Sequence, residues 1–202
     1  MKDGLFFLIA YGMGSLPFGV ILVRLFGEGN LRQLGSGNIG ATNVVRTQGK
    51  KWLGTCVFLL DAGKGALACA SIAPFLESPS LLPWIGCIAV AGHCFSCFLK
   101  GRGGKGVSTA LGVFLLLTPP VGASCLLLWG GVFWVSKTSS LASLVSVGAA
   151  PVFLWAFTSP EGNLFWAYVC MVLLVFCKHH RNIQRLLRGE ERSFRGGDHG
   201  AD

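Results

Sequence analysis

The chain has 202 residues, 52% of them hydrophobic and only 13% charged, with a mean hydropathy of +0.60. Such a composition excludes an ordinary water-soluble domain and leaves no stretch for a separate soluble catalytic unit. The net charge is +8, so where the cations fall along the chain becomes the next question.

Apolar residues come in runs that are greasy all round, which is what a helix needs when its solvent is lipid. The first runs cover residues 5–26, 52–75 and 81–99, each close to the roughly 20 residues that cross a bilayer. The first is too long for a cleaved leader and has no clear small-residue cleavage site, so it is expected to stay as a helix. Residues 107–136 are interrupted by Pro119 and Pro120, which cannot continue a helix and predict a hairpin of two short helices. Spans over 141–157 and 164–177 complete the pattern. The expected fold is all-α and polytopic, with seven transmembrane helices, or five if 107–136 crosses only once. Residues 1–202 form one membrane domain, of which 178–202 are a basic tail.

Loop cations set the orientation. Arg32, Arg46, Lys50 and Lys51 share the first loop, and Lys100, Arg102 and Lys105 the next loop on that side. The tail adds Lys178, Arg181, Arg185, Arg188, Arg192 and Arg195. The other side has Lys2 against Asp3, Glu77 and Glu161, so the positive-inside rule puts the N-terminus outside and the C-terminus in the cytoplasm. The tail arginines recur at helical spacing, with Ile183, Leu186 and Leu187 on another face. That pattern fits an interfacial helix on anionic membrane lipids.

Eight cysteines are present, but Cys56, Cys69, Cys87, Cys125, Cys170 and Cys177 stand singly inside apolar runs and are read as small buried hydrophobes. Cys94 and Cys97, beside His93, have metal-ligand spacing but no second pair, so no metal is expected.

The first loop, residues 35–46, joins Gly35, Gly37 and Gly40 to Ser36, Asn38, Thr42 and Asn43 and ends on Arg46. Glycines free backbone N–H groups to curve around an anion, the polar side chains add donors, and Arg46 adds a permanent charge. The formal G-x-G-x-x-G match is not a dinucleotide site, because no strand precedes it and Asp61, at the spacing of a ribose ligand, falls inside an apolar span. Asp61 and Lys64 lie three apart and share a helix face. Charges at such depth are costly and usually functional, although a purely structural pair is the other reading.

The second loop, Lys100 to Gly106, is again glycine-rich and cationic and opens a helix, whose N-terminus attracts anions. It is no Walker A loop, since residue 99 is Leu and Gly106 follows Lys105. In the third turn the hydroxyls of Thr138, Ser139, Ser140 and Ser143 are suited to helix capping or to a phosphate. His179 and Asn182 sit at i, i+3 after the last span.

Taken together, residues 14–19, 35–46, 61–65, 93–109, 140–143 and 179–187 resemble, in order, the bacterial acyl-phosphate:glycerol-3-phosphate acyltransferases, which begin phospholipid synthesis. Ser96, Cys97, Gly101, Arg102 and Asn30 stand where that family usually has other residues. The resemblance implies acyl phosphate as donor, glycerol 3-phosphate as acceptor, 1-acyl-glycerol 3-phosphate as product, no cofactor, no nucleic acid and a home in the bacterial cytoplasmic (inner) membrane. It implies a site of Ser36, Gly37, Asn38, Thr42, Asn43, Arg46, Lys64, His93, Gly103, Gly104, Lys105, Ser140, Ser143, His179 and Asn182. Arg46 and Lys105 would supply charge, and His179 would serve as base or bind the acceptor. No G-x-S-x-G elbow and no His followed five residues later by Asp is present, which favours direct transfer without an acyl-enzyme. The rival reading is a transporter of a phosphorylated metabolite, but no internal repeat relates the two halves.

Overall fold

The computed structural model describes residues 2–160 and 162–194, with only the backbone of Lys2. Glu161 and Arg195, counted above among the charges, lie outside the described residues. Every regular element among the described residues is helical. Besides three short 3-10 turns, the α-helices in chain order are α1 (Lys2–Ser15), α2 (Phe18–Phe26), α3 (Ala41–Gln48), α4 (Lys51–Ile72), α5 (Leu82–Cys94), α6 (Val107–Leu117), α7 (Pro119–Ser136), α8 (Ser139–Gly148), α9 (Ala150–Phe157), α10 (Gly162–Lys178) and α11 (His180–Leu187).

By length and composition five stretches among the described residues can cross a bilayer: Asp3–Phe26, Lys51–Phe75, Pro79–Leu99, Pro119–Ser136 and Ser139–Phe157. A sixth is α10, which bends by 64° into α11. At eleven residues α6 is only about 16 Å long at 1.5 Å per residue, half a hydrocarbon core. The chain reverses at Thr118, ahead of the two prolines that open α7. A Cβ on Gly122 would overlap the Leu115 backbone, so α6 and α7 form a close hairpin. Within 107–136 only α7 is long enough to cross, so with the five flanking apolar stretches the described residues hold up to six span-length segments, beside the seven or five expected.

Lipid gives helices no hydrophobic drive to associate, so close backbone approach must hold the bundle. A Cβ on Gly14 would overlap Ala89 and one on Gly92 would meet the Tyr11 carbonyl, which seats α1 against α5. Gly65 against Thr109 and Gly112 against Ala62 do the same for α4 and α6. Phe114 and Tyr168 stack at 4.4 Å in the larger core. A second apolar cluster of Val23, Leu31, Ile39, Val44, Leu53 and Val57 gives the first loop its own core, and Gly19 admits the Ile39 carbonyl against α2.

Asp61 and Lys64 meet at 2.7 Å, each nearly enclosed. The Lys64 ammonium also donates to the Leu16 carbonyl at 2.7 Å, at the break between α1 and α2 where Pro17 interrupts the helical hydrogen bonding. Lys64 thus neutralises Asp61 and closes a helix break.

Candidate anion-binding active site

Loops 27–40, 95–106 and 137–138 and the start of α11 meet at one end of the bundle, around a cavity of about 520 Å³, the size of a small-molecule site. Helices α3, α6, α8 and α11 all begin there. Their N-caps are Gly40, Gly106, Thr138 and His179, and none makes a side-chain capping bond. Orphan N–H groups and the positive ends of four macrodipoles are therefore gathered at one cavity. Thr138, a natural cap, instead donates its hydroxyl to the Ser136 carbonyl at 3.1 Å.

The first loop owes its shape to Asn43. Its side-chain oxygen accepts from the Ser36 N–H at 2.9 Å and the Ser36 hydroxyl at 3.1 Å. Its amide nitrogen donates to the Leu31, Leu34 and Asn38 carbonyls. All of its hydrogen-bonding capacity is used inside the loop, which marks it as the former of this wall. Gly35 is needed twice, for a φ of +59° and because a Cβ would overlap the Asn43 side chain. Thr42 joins its hydroxyl to Ser139 at 2.9 Å, tying α3 to α8 across the cavity.

The second loop explains why α6 is short. It dips into the bundle, with the Gly104 N–H donating to the His93 carbonyl at 3.0 Å. Gly103 lies on the His93 backbone, Gly104 on its ring, and Gly106 on Cys94 and Val90. Side chains at these glycines would push the loop outward, so Lys105 reaches the cavity from inside. Its ammonium is pushed down to about 8, by burial first and then by Arg185 and Arg46, with Glu191 acting in the opposite sense.

His179, 2% exposed, has its Nδ1 2.8 Å from the Val175 carbonyl. The carbonyl can only accept, so Nδ1 carries the proton and the Nε2 lone pair is left available. Burial first, and then Lys105, pull its pKa down to about 4, so His179 is neutral at physiological pH. Trp129 donates its indole N–H to the Ser143 hydroxyl at 3.1 Å, which leaves Ser143 its own proton to give.

Of the residues singled out in the sequence, Ser36, Asn38, Thr42, Asn43, Arg46, His93, Lys105, Ser140, Ser143, His179 and Asn182 all line this cavity. Gly37, Lys64, Gly103 and Gly104 are not in its wall; the last two act by packing around His93. The floor is formed by Asp61 and by His93, whose Nδ1 is 3.6 Å from the Asp61 carboxylate. An apolar flank of Phe58, Leu111, Leu126, Trp129 and Phe133 continues the cavity between α4, α6 and α7.

Sequence reasoning missed the tail. Arg185 and Arg192, read as lipid anchors, line the cavity together with Glu191 and Phe194. Glu191 accepts from Ser140 at 2.8 Å, Asn182 at 2.5 Å and Arg185 at 2.6 Å. Burial alone would raise its carboxyl pKa, but these three bonds outweigh burial and lower it. Arg46 stacks over the Phe194 ring at 4.7 Å. The available signal was a pair of adjacent acids, Glu190 and Glu191, set among the arginines from Arg181 to Arg195.

Comparison with known proteins agrees with this geometry. The family model described as glycerol-3-phosphate acyltransferase matches residues 4–189. A glycerol-3-phosphate acyltransferase of Jannaschia sp. (strain CCS1) is 43% identical over 93% of this chain and 91% of its own length. One of Paramagnetospirillum magneticum is 44% identical over 90% and 88%. Two crystal structures of PlsY (YgiH), an integral membrane glycerol 3-phosphate acyltransferase, superpose with TM-scores of 0.88 and 0.87 at 36% and 35% identity. Each covers 96% of both chains; one is the glycerol 3-phosphate form and the other the lysophosphatidic acid form. This chain, an integral membrane protein, belongs to the glycerol-3-phosphate acyltransferase family.

Proposed function

We propose that this chain transfers a fatty acyl group from acyl phosphate to glycerol 3-phosphate, releasing 1-acyl-glycerol 3-phosphate and inorganic phosphate. The observation that carries this reading is the meeting of four uncapped helix N-termini with Arg46 and Lys105 at one cavity that continues into an apolar flank. Two phosphate-bearing substrates, one with a fatty chain, match a cationic chamber with an apolar flank between α4, α6 and α7.

In this reading Arg46 and Lys105 hold phosphate charge and Ser36 and Asn38 donate from the first loop. The neutral Nε2 of His179 accepts the hydrogen bond of the attacking hydroxyl and so orients it; Asn182 stands one helical turn further on. The hydroxyl oxygen attacks the acyl carbonyl and forms the ester bond, while the acyl–phosphate bond breaks. Its proton leaves with the phosphate, directly or by way of His179. A conjugate acid near 4 makes His179 a weak base, adequate because the acyl group is already activated. Catalysis rests on placement and on cations facing the developing negative charge. No acyl-enzyme is required.

The loops rich in Lys and Arg all lie at the cavity end, which supports a site facing the cytoplasm in a bacterial inner membrane. Residues 1–202 act as one domain, and the metal-free, cofactor-free chemistry needs nothing further.

Purified protein supplied with palmitoyl phosphate and glycerol 3-phosphate should release one phosphate per lysolipid formed. Palmitoyl-coenzyme A or palmitoyl-acyl carrier protein should give no product. Turnover with either thioester and none with palmitoyl phosphate would overturn the assignment of the donor.

A further inference from the structure

We propose that Glu191 is a built-in occupant of an anion subsite in this cavity, a tethered carboxylate that the phosphate of the donor must displace. The proposal rests on the acyl-phosphate reading above. Three donors converge on this one carboxylate: Ser140 at 2.8 Å and Asn182 at 2.5 Å on one oxygen, Arg185 at 2.6 Å on the other. They come from α8 and α11, both of which begin at the cavity without a capping side chain. A hydroxyl, an amide and a guanidinium around an anion at helix N-termini are what a phosphate would select. Here the anion is a side chain of the same chain.

The segment that delivers Glu191 is built as a strap. It leaves α11 through Gly189, whose φ is +70°, and is fastened by the Glu190 N–H to the Arg185 carbonyl and the Phe194 N–H to the Lys137 carbonyl, both at 2.8 Å. The Phe194 ring packs edge-on to Phe133 and lies beneath Arg46. Between these fastenings Glu191 turns in, its side chain 9% exposed, and Arg192 beside it also lines the cavity. The matched family segment stops at residue 189, so the strap lies past it.

A free fatty acid carries the same tail as the donor, so the apolar flank cannot tell them apart. Its head can be refused only at the polar end. Exchanging Glu191 for a fatty carboxylate trades one charge and two oxygens for the same, and gives up a tethered ligand present at high effective concentration. Exchanging it for an acyl phosphate adds charge and a third oxygen within reach of Arg46 and Lys105, so that exchange runs forward. The displacement costs every head the same factor, so a phosphate with the higher intrinsic affinity still binds at a concentration where a carboxylate does not.

The test compares inhibition by palmitate during palmitoyl phosphate turnover in the wild type and in Glu191→Gln. The variant should bind palmitate more tightly, its Ki falling on the order of tenfold, with a lower KM for palmitoyl phosphate. An unchanged palmitate Ki with a raised donor KM or a reduced kcat would make Glu191 a positioning residue and overturn the proposal. A second measurement needs neither the variant nor turnover: hydrogen exchange at the Phe194 amide of the wild type under inorganic phosphate or acetate at equal ionic strength. Phosphate should accelerate exchange and acetate should not; equal exchange with both overturns the proposal. If the wild type fails to use palmitoyl phosphate, the donor assignment falls, while the exchange experiment still decides whether Glu191 yields to phosphate.

Discussion

Two clusters of charge occupy this fold and balance differently. Asp61, Lys64 and His93 are nearly enclosed and close on one another: Lys64 spends its ammonium on Asp61 and the Leu16 carbonyl, and His93 stands 3.6 Å from the same carboxylate. At the cavity five cationic side chains, Arg46, Lys51, Lys105, Arg185 and Arg192, face two carboxylates, one of which is the already paired Asp61. Charge that balances internally does architectural work in lipid, where an unpaired ion is costly. Charge held in surplus, next to orphan helix N-termini, is set for a ligand that brings the missing anions. Proximity in the sequence does not separate the two cases; Lys64 and Lys105 both sit in Gly-Lys-Gly.

The comparison breaks most visibly at Arg46. Arg46→Ala removes surplus charge and leaves no buried partner stranded, because its described contact is the face of Phe194. We expect kcat/KM for the acyl transfer to fall by about 10²–10³-fold with little change in the thermal melt in detergent. A large drop in melting temperature would put Arg46 on the architectural side instead.

The paired cluster should respond in the opposite way. Asp61→Asn leaves the Lys64 ammonium without its carboxylate inside the bundle, a loss of about 3–5 kcal/mol of stability. The double variant Asp61→Asn with Lys64→Met should recover most of that loss, since both ions are then gone. A double variant as unstable as the single one would show that the pair is not the unit that matters. Melting curves of the three proteins decide between these outcomes.

Much of this division was legible in the chain. The apolar runs located the helices because lipid demands them, and the glycine and cation motifs located the cavity wall because few other patterns expose backbone N–H groups beside fixed charge. Three things were not legible. The role of Gly103 and Gly104 depends on the His93 backbone under the first and the His93 ring under the second, contacts between residues ten and eleven apart that no local pattern announces. The use of Asn43 as an internal clamp depends on which carbonyls the loop presents to it. The return of the tail to the site depends on one turn at Gly189 and one hydrogen bond to Lys137, whereas arginines at helical spacing read equally well as lipid anchors.

The finest test of surplus charge is Lys105, whose ammonium burial and the neighbouring arginines bring down to about 8. A lysine in that position is charged at pH 7 and mostly neutral at pH 9. If its charge is what the substrates meet, kcat/KM should decline above pH 8 and be down about tenfold at pH 9. His179, held near 4 by burial and by Lys105, stays neutral across this range and adds no limb of its own. Substrate phosphates titrate near pH 6, so the raw profile mixes their ionisation with that of the protein. The ratio of Lys105→Arg to wild type cancels the substrates. A guanidinium keeps its charge throughout but presents it as a planar fork rather than a point. The variant should therefore be slower at pH 7 and gain on the wild type as pH rises, with the ratio climbing about tenfold between pH 7 and pH 9. A flat ratio would mean that the cavity needs the shape of Lys105 and not its proton.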